Sequence, residues 1–262
     1  MLSYSINGSL EAPLVIFLHG LLGTKEDWKE VIHLLEKRFC CLSLDLPGHG
    51  SSPLKKNFLA QIETFLLKDV YQERSQKPFA LIGYSMGGRI ALQFSEKNPS
   101  PVCKIIVISS YVGDSSAKER LQQKDRDEQW AKMLEEEDIE AFLKKWYDQP
   151  LFDALRENKL LFAETLKRRK RQDPHAIATY FRQFSKASQS PFQLTKHFPS
   201  FLYGEEDLKF GALYLTLPAS IKRFPVARAG HAVHLENPVA CAAIITQILE
   251  SQDTYGGNHV RS

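Results

Sequence analysis

The chain has 262 residues, 43% of them hydrophobic, enough to bury one large core and in keeping with a single α/β domain that carries an insertion. Its 34 basic and 31 acidic residues leave a formal charge of +3, a field too balanced to call for a nucleic-acid partner, so any charge argument has to be local. No basic start leads into a long apolar run, and Leu14–Leu18 is far too short to cross a bilayer; these features predict a cytoplasmic protein without membrane insertion.

In chain order, short apolar runs bounded by turn residues fall at Leu14–Leu18, Cys40–Leu44, Phe79–Ile82, Ile105–Ile108 and Phe198–Tyr203, with a further run at Ser220–Phe224. Runs that are continuously apolar instead of alternating predict a mostly parallel sheet with helices on both faces. Cys40 and Cys41 sit together in one run and should face opposite sides of the sheet. With Cys103 and Cys241 they lie in apolar surroundings without metal-ligand spacing, which predicts buried reduced thiols and no metal site. Gly87–Lys97 has Ile90, Ala91 and Phe94 at helical spacing and stops before Pro99, so it reads as a helix. From about 114 to 191 the sequence turns charged and helix-forming, with Trp130, Phe142 and Trp146 at amphipathic intervals and no strand run. The predicted organisation is an α/β core over 1–113 and 192–250, a helical cap over 114–191 above the C-terminal strand ends, and a polar, frayed tail over 251–262. Within the core, Ala240–Glu250 reads as a last amphipathic helix.

Gly83-Tyr84-Ser85-Met86-Gly87 matches G-x-S-x-G, directly after one apolar run and directly before a helical pattern. That context is the nucleophile elbow of the α/β-hydrolase fold, a tight strand-to-helix turn with no room for side chains beside the serine. His19-Gly20-Leu21 follows the first strong strand, where the fold sets its second oxyanion donor, so Leu21 and Met86 are the expected backbone N–H pair. Asp45, His49 and the His19 side chain are assigned structural roles. The acid and the histidine should follow in that order after later strands, and the chain supplies Asp207 in Gly204-Glu205-Glu206-Asp207 and His231 in Gly230-His231. Asp207 would orient His231, and His231 would take the proton of Ser85. Glu205, Glu206 and His234 are chemical rivals whose better reading is structural or solvated.

Beyond the general fold, the sequence resembles the 2-succinyl-6-hydroxy-2,4-cyclohexadiene-1-carboxylate synthases of menaquinone biosynthesis over nearly its whole length. Its more selective marks are Arg89 after the elbow, Trp146-Tyr147-Asp148-Gln149-Pro150 in the cap, and Asp207-Leu208-Lys209-Phe210. The resemblance implies a lyase without acyl transfer or cofactor, in which base-promoted proton removal is followed by loss of the enolpyruvyl group as pyruvate. It also implies a small polycarboxylate substrate, with Arg89, Tyr84, Trp146, Tyr147 and Arg169 as substrate contacts, and arginine's planar fork suits paired carboxylate oxygens. One departure stands out: where the family has a further cap arginine, the spacing falls near Gln123, with Arg120, Lys124 and Arg126 as replacements. The competing expectations are a carboxylesterase or thioesterase working through an acyl-serine, and a noncatalytic binder on the same scaffold.

Overall fold

A computed structural model describes residues 1–113, 116–194 and 198–252. Seven strands form one sheet: β1 (Tyr4–Asn7), β2 (Leu14–Leu18), β3 (Cys40–Leu44), β4 (Phe79–Tyr84), β5 (Val102–Ile108), β6 (Ser200–Gly204) and β7 (Arg223–Val226). Their spatial order is β1-β3-β2-β4-β5-β6-β7, with only β1 antiparallel to its neighbour. The chain also forms α1 (Lys29–Leu35), α2 (Phe58–Thr64), α3 (Met86–Lys97), α4 (Ala117–Glu136), α5 (Ile139–Tyr147) and α6 (Asp153–Glu157). They are followed by α7 (Lys159–Arg169), α8 (Pro174–Gln183), α9 (Leu208–Leu215), α10 (Val233–Glu236) and α11 (Pro238–Glu250).

Alternation along the strands builds a core on each face. Val15, Phe17, Cys41, Ala80 and Ile82 belong to one, and Leu14, Ile16, Leu18, Cys40 and Leu81 to the other. Both faces are covered, which is why β2 and β3 are apolar at nearly every position. The predicted split of Cys40 and Cys41 between faces follows from the same period of two. Helix starts are set by local chemistry: Ser116 and Glu119 form a capping box on α4, while Asp138, Asn158, Asp173, Asp207 and Asn237 cap α5, α7, α8, α9 and α11.

The sequence reading differs from the structure in a few places. β1 was not foreseen: it is a short edge strand, partly exposed, and shows no apolar run. β5 begins at Val102, ahead of the predicted Ile105, because Lys104 interrupts the pattern; its Nζ reaches the Ile248 and Ser251 carbonyls at 2.6 and 2.5 Å. β7 starts at Arg223 and not Ser220, since Ile221 N–H closes a turn onto the Pro218 carbonyl. The expectation of a frayed tail falls on residues 253–262, outside the described residues, as do 114 and 115 at the start of the predicted cap.

Between β5 and β6 run α4 to α8, with no strand among the described residues. A buried ion pair ties this helical segment to the core. Arg169, the last residue of α7, donates from Nη1 and Nη2 to the two oxygens of Asp27 at 3.0 and 2.7 Å, and Asp27 lies on a 3-10 turn (Lys25–Trp28) after β2. Burial alone would raise the Asp27 pKa, but Arg169 outweighs it and takes the carboxyl from 3.8 down to about 2. The carboxyl is depressed in the folded state, so its stabilisation is present above pH 3.8 and is lost as the pH falls through about 2. Asp27→Ala leaves Arg169 buried without its partner and should cost about 3–5 kcal/mol in urea unfolding at neutral pH. A loss under about 1 kcal/mol would show the pair does not join the two parts.

Candidate active site

The C-terminal ends of the parallel strands share one edge, and the loops leaving them carry the candidate residues. Ser85 sits between β4 and α3 at φ 51° and ψ −110°, a conformation that costs an ordinary side chain about 1–3 kcal/mol. The turn holds because its neighbours lack side chains: a Cβ on Gly83 would run into the Gly87 carbonyl, and one on Gly87 into the Leu18 carbonyl of β2. Ser110, just after β5, donates its Oγ proton to the Ser85 carbonyl at 2.6 Å and steadies the strained residue.

Asp207 caps α9, accepting the Phe210 N–H at Oδ1 (3.1 Å), and its Oδ2 lies 2.8 Å from His231 Nδ1. A carboxylate only accepts, so Nδ1 carries the proton and Nε2 is left as the basic nitrogen. Burial lowers the His231 pKa below its ordinary 6.5, with the Asp207 bond pulling the other way, so the ring is neutral at neutral pH. The rings of Phe210, Tyr84 and Phe152 pack around it at 5.0, 5.2 and 5.8 Å. Ser85 and His231 line the same cavity; among the described residues no hydrogen bond joins them, and catalytic contacts of this kind often tighten only when substrate binds.

The loop after β2 lies against the serine turn, since a Cβ on Gly20 would stand 3.4 Å from that of Ser85. Leu21 follows at once and lines the cavity. Met86 opens α3, so its N–H is one of the helix's unpaired first donors. His19 shapes this loop: its Nδ1 donates to the Gly20 carbonyl at 2.7 Å and its Nε2 accepts the Leu46 N–H at 2.9 Å. His49 Nε2 accepts from Leu22 N–H at 3.3 Å, and Asp45 takes the Lys25 and Ser51 N–H groups. Burial brings His19 down to about 4, so it adds no charge at neutral pH.

Together these loops and α4 to α8 enclose a cavity of about 810 Å³, into which Tyr84, Arg89, Trp146, Tyr147 and Arg169 all contribute. Arg89, one turn beyond Ser85, donates from Nη2 to the Phe184 carbonyl at 2.7 Å and lies 4.2 Å from the Phe184 ring centroid. Its Nη1 is buried with no hydrogen-bond partner among the described residues. Burial lowers its pKa to about 10, which still leaves it charged at neutral pH. Arg169 differs: Asp27 takes two of its N–H groups and the Tyr147 hydroxyl accepts a third from Nε at 3.2 Å. Only one N–H on each terminal nitrogen is left for a ligand. Trp146 packs on Phe142 and Trp130 at 5.8 and 5.3 Å and forms an aromatic wall. Of the three cations expected near Gln123, Arg126 lines the cavity as Gln123 does; Arg120 and Lys124 are not among its described walls.

Several functional-looking residues escaped the sequence reading. Glu236 accepts the N–H groups of Gly230 and, at 3.0 Å, of Ala232, bracketing His231 on both sides. Its place five residues after the histidine was the available signal. The Asp27 partner of Arg169 had none, being 142 residues away. Of the rivals, Glu205 and Glu206 are exposed, and His234 is buried between Trp28 and Tyr84 with neither ring nitrogen bonded. No group of three or more His, Cys, Asp or Glu among the described residues could hold a metal ion, and no helix among them is long and apolar enough to cross a membrane.

If His231 serves Ser85 as base, labelling of Ser85 by a fluorophosphonate should fall as the pH drops through a value below 6.5, where the ring gains its proton. Asp207→Asn should slow that labelling about a hundredfold or more at pH 7.5. A flat profile between pH 5 and 8, or full reactivity in the variant, would remove His231 from the role.

The alpha/beta hydrolase fold family matches residues 13–238. A 2-succinyl-6-hydroxy-2,4-cyclohexadiene-1-carboxylate synthase from Enterobacter sp. (strain 638) is 34% identical over 253 residues, covering 93% of this chain and 96% of that protein. The structure of MenH from S. aureus superposes with a TM-score of 0.84 at 26% identity, covering 94% of this chain and 97% of the other. A thermophilic esterase from Thermogutta terrifontis shares the fold at a TM-score of 0.78 and 17% identity, covering 95% and 92%. At that identity the likeness is one of fold alone. The chain belongs to the α/β-hydrolase superfamily of enzymes and, within it, to the 2-succinyl-6-hydroxy-2,4-cyclohexadiene-1-carboxylate synthase family.

Proposed function

We propose that the protein is a lyase that eliminates pyruvate from 2-succinyl-5-enolpyruvyl-6-hydroxy-3-cyclohexene-1-carboxylate, giving 2-succinyl-6-hydroxy-2,4-cyclohexadiene-1-carboxylate, in cytoplasmic menaquinone biosynthesis. The observation that carries this reading is Arg89: a guanidinium in the cavity wall, one turn from Ser85, with Nη1 unpaired and no carboxylate bonded to it among the described residues. A buried charge whose donors are only partly met is costly, and the carboxylate of an anionic substrate supplies what Nη1 lacks. A neutral ester needs no such cation.

The ring carbon that carries the succinyl group is both allylic and next to a ketone, so its hydrogen is the acidic one. Ser85 Oγ, passing its own proton to His231 Nε2, removes that hydrogen, and Asp207 stabilises the imidazolium that forms. The electron pair moves onto the ketone oxygen, where the N–H groups of Leu21 and Met86 stabilise it. Its return through the ring alkene breaks the carbon–oxygen bond to the enolpyruvyl group, which leaves as the enol form of pyruvate after taking up a proton. A second ring double bond is left behind, and no acyl bond forms. In this reading 114–191 is a cap over a core of 1–113 and 192–250; Arg89, Tyr84, Trp146, Tyr147 and Arg169 contact the substrate, with Arg169 acting mainly through the placement of Tyr147.

Purified protein given the freshly made enolpyruvyl substrate should release pyruvate far faster than the spontaneous decay, and Ser85→Ala should return it to that background. Arg89→Ala should lower kcat/KM about thirtyfold to a thousandfold, corresponding to about 2–4 kcal/mol for a lost charged contact. Equal rates for the wild type, Ser85→Ala and no protein would overturn the lyase and leave an acyl-serine hydrolase to be sought with short esters and thioesters.

A further inference from the structure

The cavity gathers positive charge beyond Arg89, whose own charge reaches Lys186. Lys186, in the 3-10 turn that follows α8 (Lys186–Ser188), and Lys209, in the first turn of α9, both line it, and so does Arg126 on α4. Three separate parts of the chain thus bring cations to one cavity, where Lys186 feels the charge of both Lys209 and Arg126. Among the described residues neither the Lys186 nor the Lys209 side chain makes a hydrogen bond or an ion pair within 4.0 Å, and Lys209 Nζ lies 5.6 Å from the Phe210 ring centroid. Two carboxylates lie near them, and both already hold other donors: Asp127 accepts Gln123 Nε2 at one oxygen and Ser185 Oγ at the other, both at 2.5 Å, and Asp207 is taken up by the Phe210 N–H and His231. Lys186 is half-buried, and burial together with the neighbouring Lys209 pushes its pKa down to about 8. Like charges crowded at a cavity wall repel each other, and an anion placed between them relieves that repulsion.

We infer that Lys186 and Lys209 form a second carboxylate subsite, flanked by Arg126, which holds a carboxylate of the substrate other than the one that meets Arg89. The pair takes over the charge that Gln123 lacks at the position of the usual cap arginine. A lysine pair suits this place because ammonium groups on long stems gather a single carboxylate without the planar geometry that a guanidinium imposes. The inference rests on the proposed polycarboxylate substrate, and its test separates the two.

Steady-state pyruvate release is measured for the wild type, Lys186→Met, Lys209→Met and Lys186→Arg, alongside calorimetric binding of tricarballylate to each. Each methionine variant should raise KM about fivefold to twentyfold, with a smaller change in kcat and a shallower rise of KM with salt; Lys186→Arg should recover most of the loss. Tricarballylate binding should weaken in parallel. An active wild type with KM and tricarballylate affinity unchanged in both methionine variants would overturn the subsite and leave the lyase standing. An inactive wild type that binds tricarballylate, with affinity lost in both variants, would overturn the lyase and support the subsite. An inactive wild type whose tricarballylate binding is absent or indifferent to the variants would overturn both.

Discussion

Ser85 is held where an ordinary residue does not rest, and much of the site is arranged around keeping it there. The turn lies at the end of β4, the central strand of the sheet, so its geometry is fixed from both sides. On one side the Leu18 carbonyl of β2 presses so near Gly87 that no side chain fits. On the other, Ser110 after β5 binds the Ser85 carbonyl and is itself pinned by the Tyr214 hydroxyl, which accepts the Ser110 N–H at 2.6 Å and donates to its carbonyl at 2.9 Å. Strain of about 1–3 kcal/mol persists only where the surroundings over-determine the conformation, as these contacts do. What the strain gives is position: Ser85 lines the cavity while the backbone behind it starts α3, whose first residue, Met86, lines the same cavity.

Electrostatics divide the cavity wall into settled and unsettled charge. Arg169 is settled by Asp27 and Tyr147, and that bond joins the helical segment to the core. His19, His231 and His234 are driven toward their neutral forms by burial, His234 to about 3. Of these three, His231 is the one with a carboxylate on its ring among the described residues, the arrangement that a proton-holding base would use. Arg89, Lys186 and Lys209 are the unsettled charges. All three line one cavity, on a scaffold shared with esterases, and in the proposed reading they are what an anionic substrate would meet.

How much of this could be read in the sequence depended on distance along the chain. Leu14–Leu18 and Cys40–Leu44 coincide with β2 and β3 because a doubly covered strand must be apolar throughout. β1, at an edge, had no such obligation, and the start of β5 is covered but carries Lys104, whose ammonium is met by the Ile248 and Ser251 carbonyls; neither shows as an apolar run. The serine turn was legible because strand, glycines and helix are contiguous. Asp207 stood beside Glu205 and Glu206, which order along the chain does not tell apart from it; burial and the bond to His231 are the physical distinction. Contacts between remote segments left no trace in any local pattern, among them Arg89 with the Phe184 carbonyl, Arg169 with Asp27, and the meeting of Lys186 with Lys209 at the cavity. Gln123 stands in the sequence with cations on either side, but which of them line the cavity depends on the fold.

The central claim is that Ser85 acts here as a base and not as an acyl acceptor. Its most direct test is the intact mass of the protein quenched during turnover of the enolpyruvyl substrate, with pyruvate measured in the same sample. The account predicts pyruvate release that depends on Ser85 while the protein keeps its unmodified mass throughout. An added mass that maps to Ser85, or pyruvate release no faster than the spontaneous decay, would contradict it.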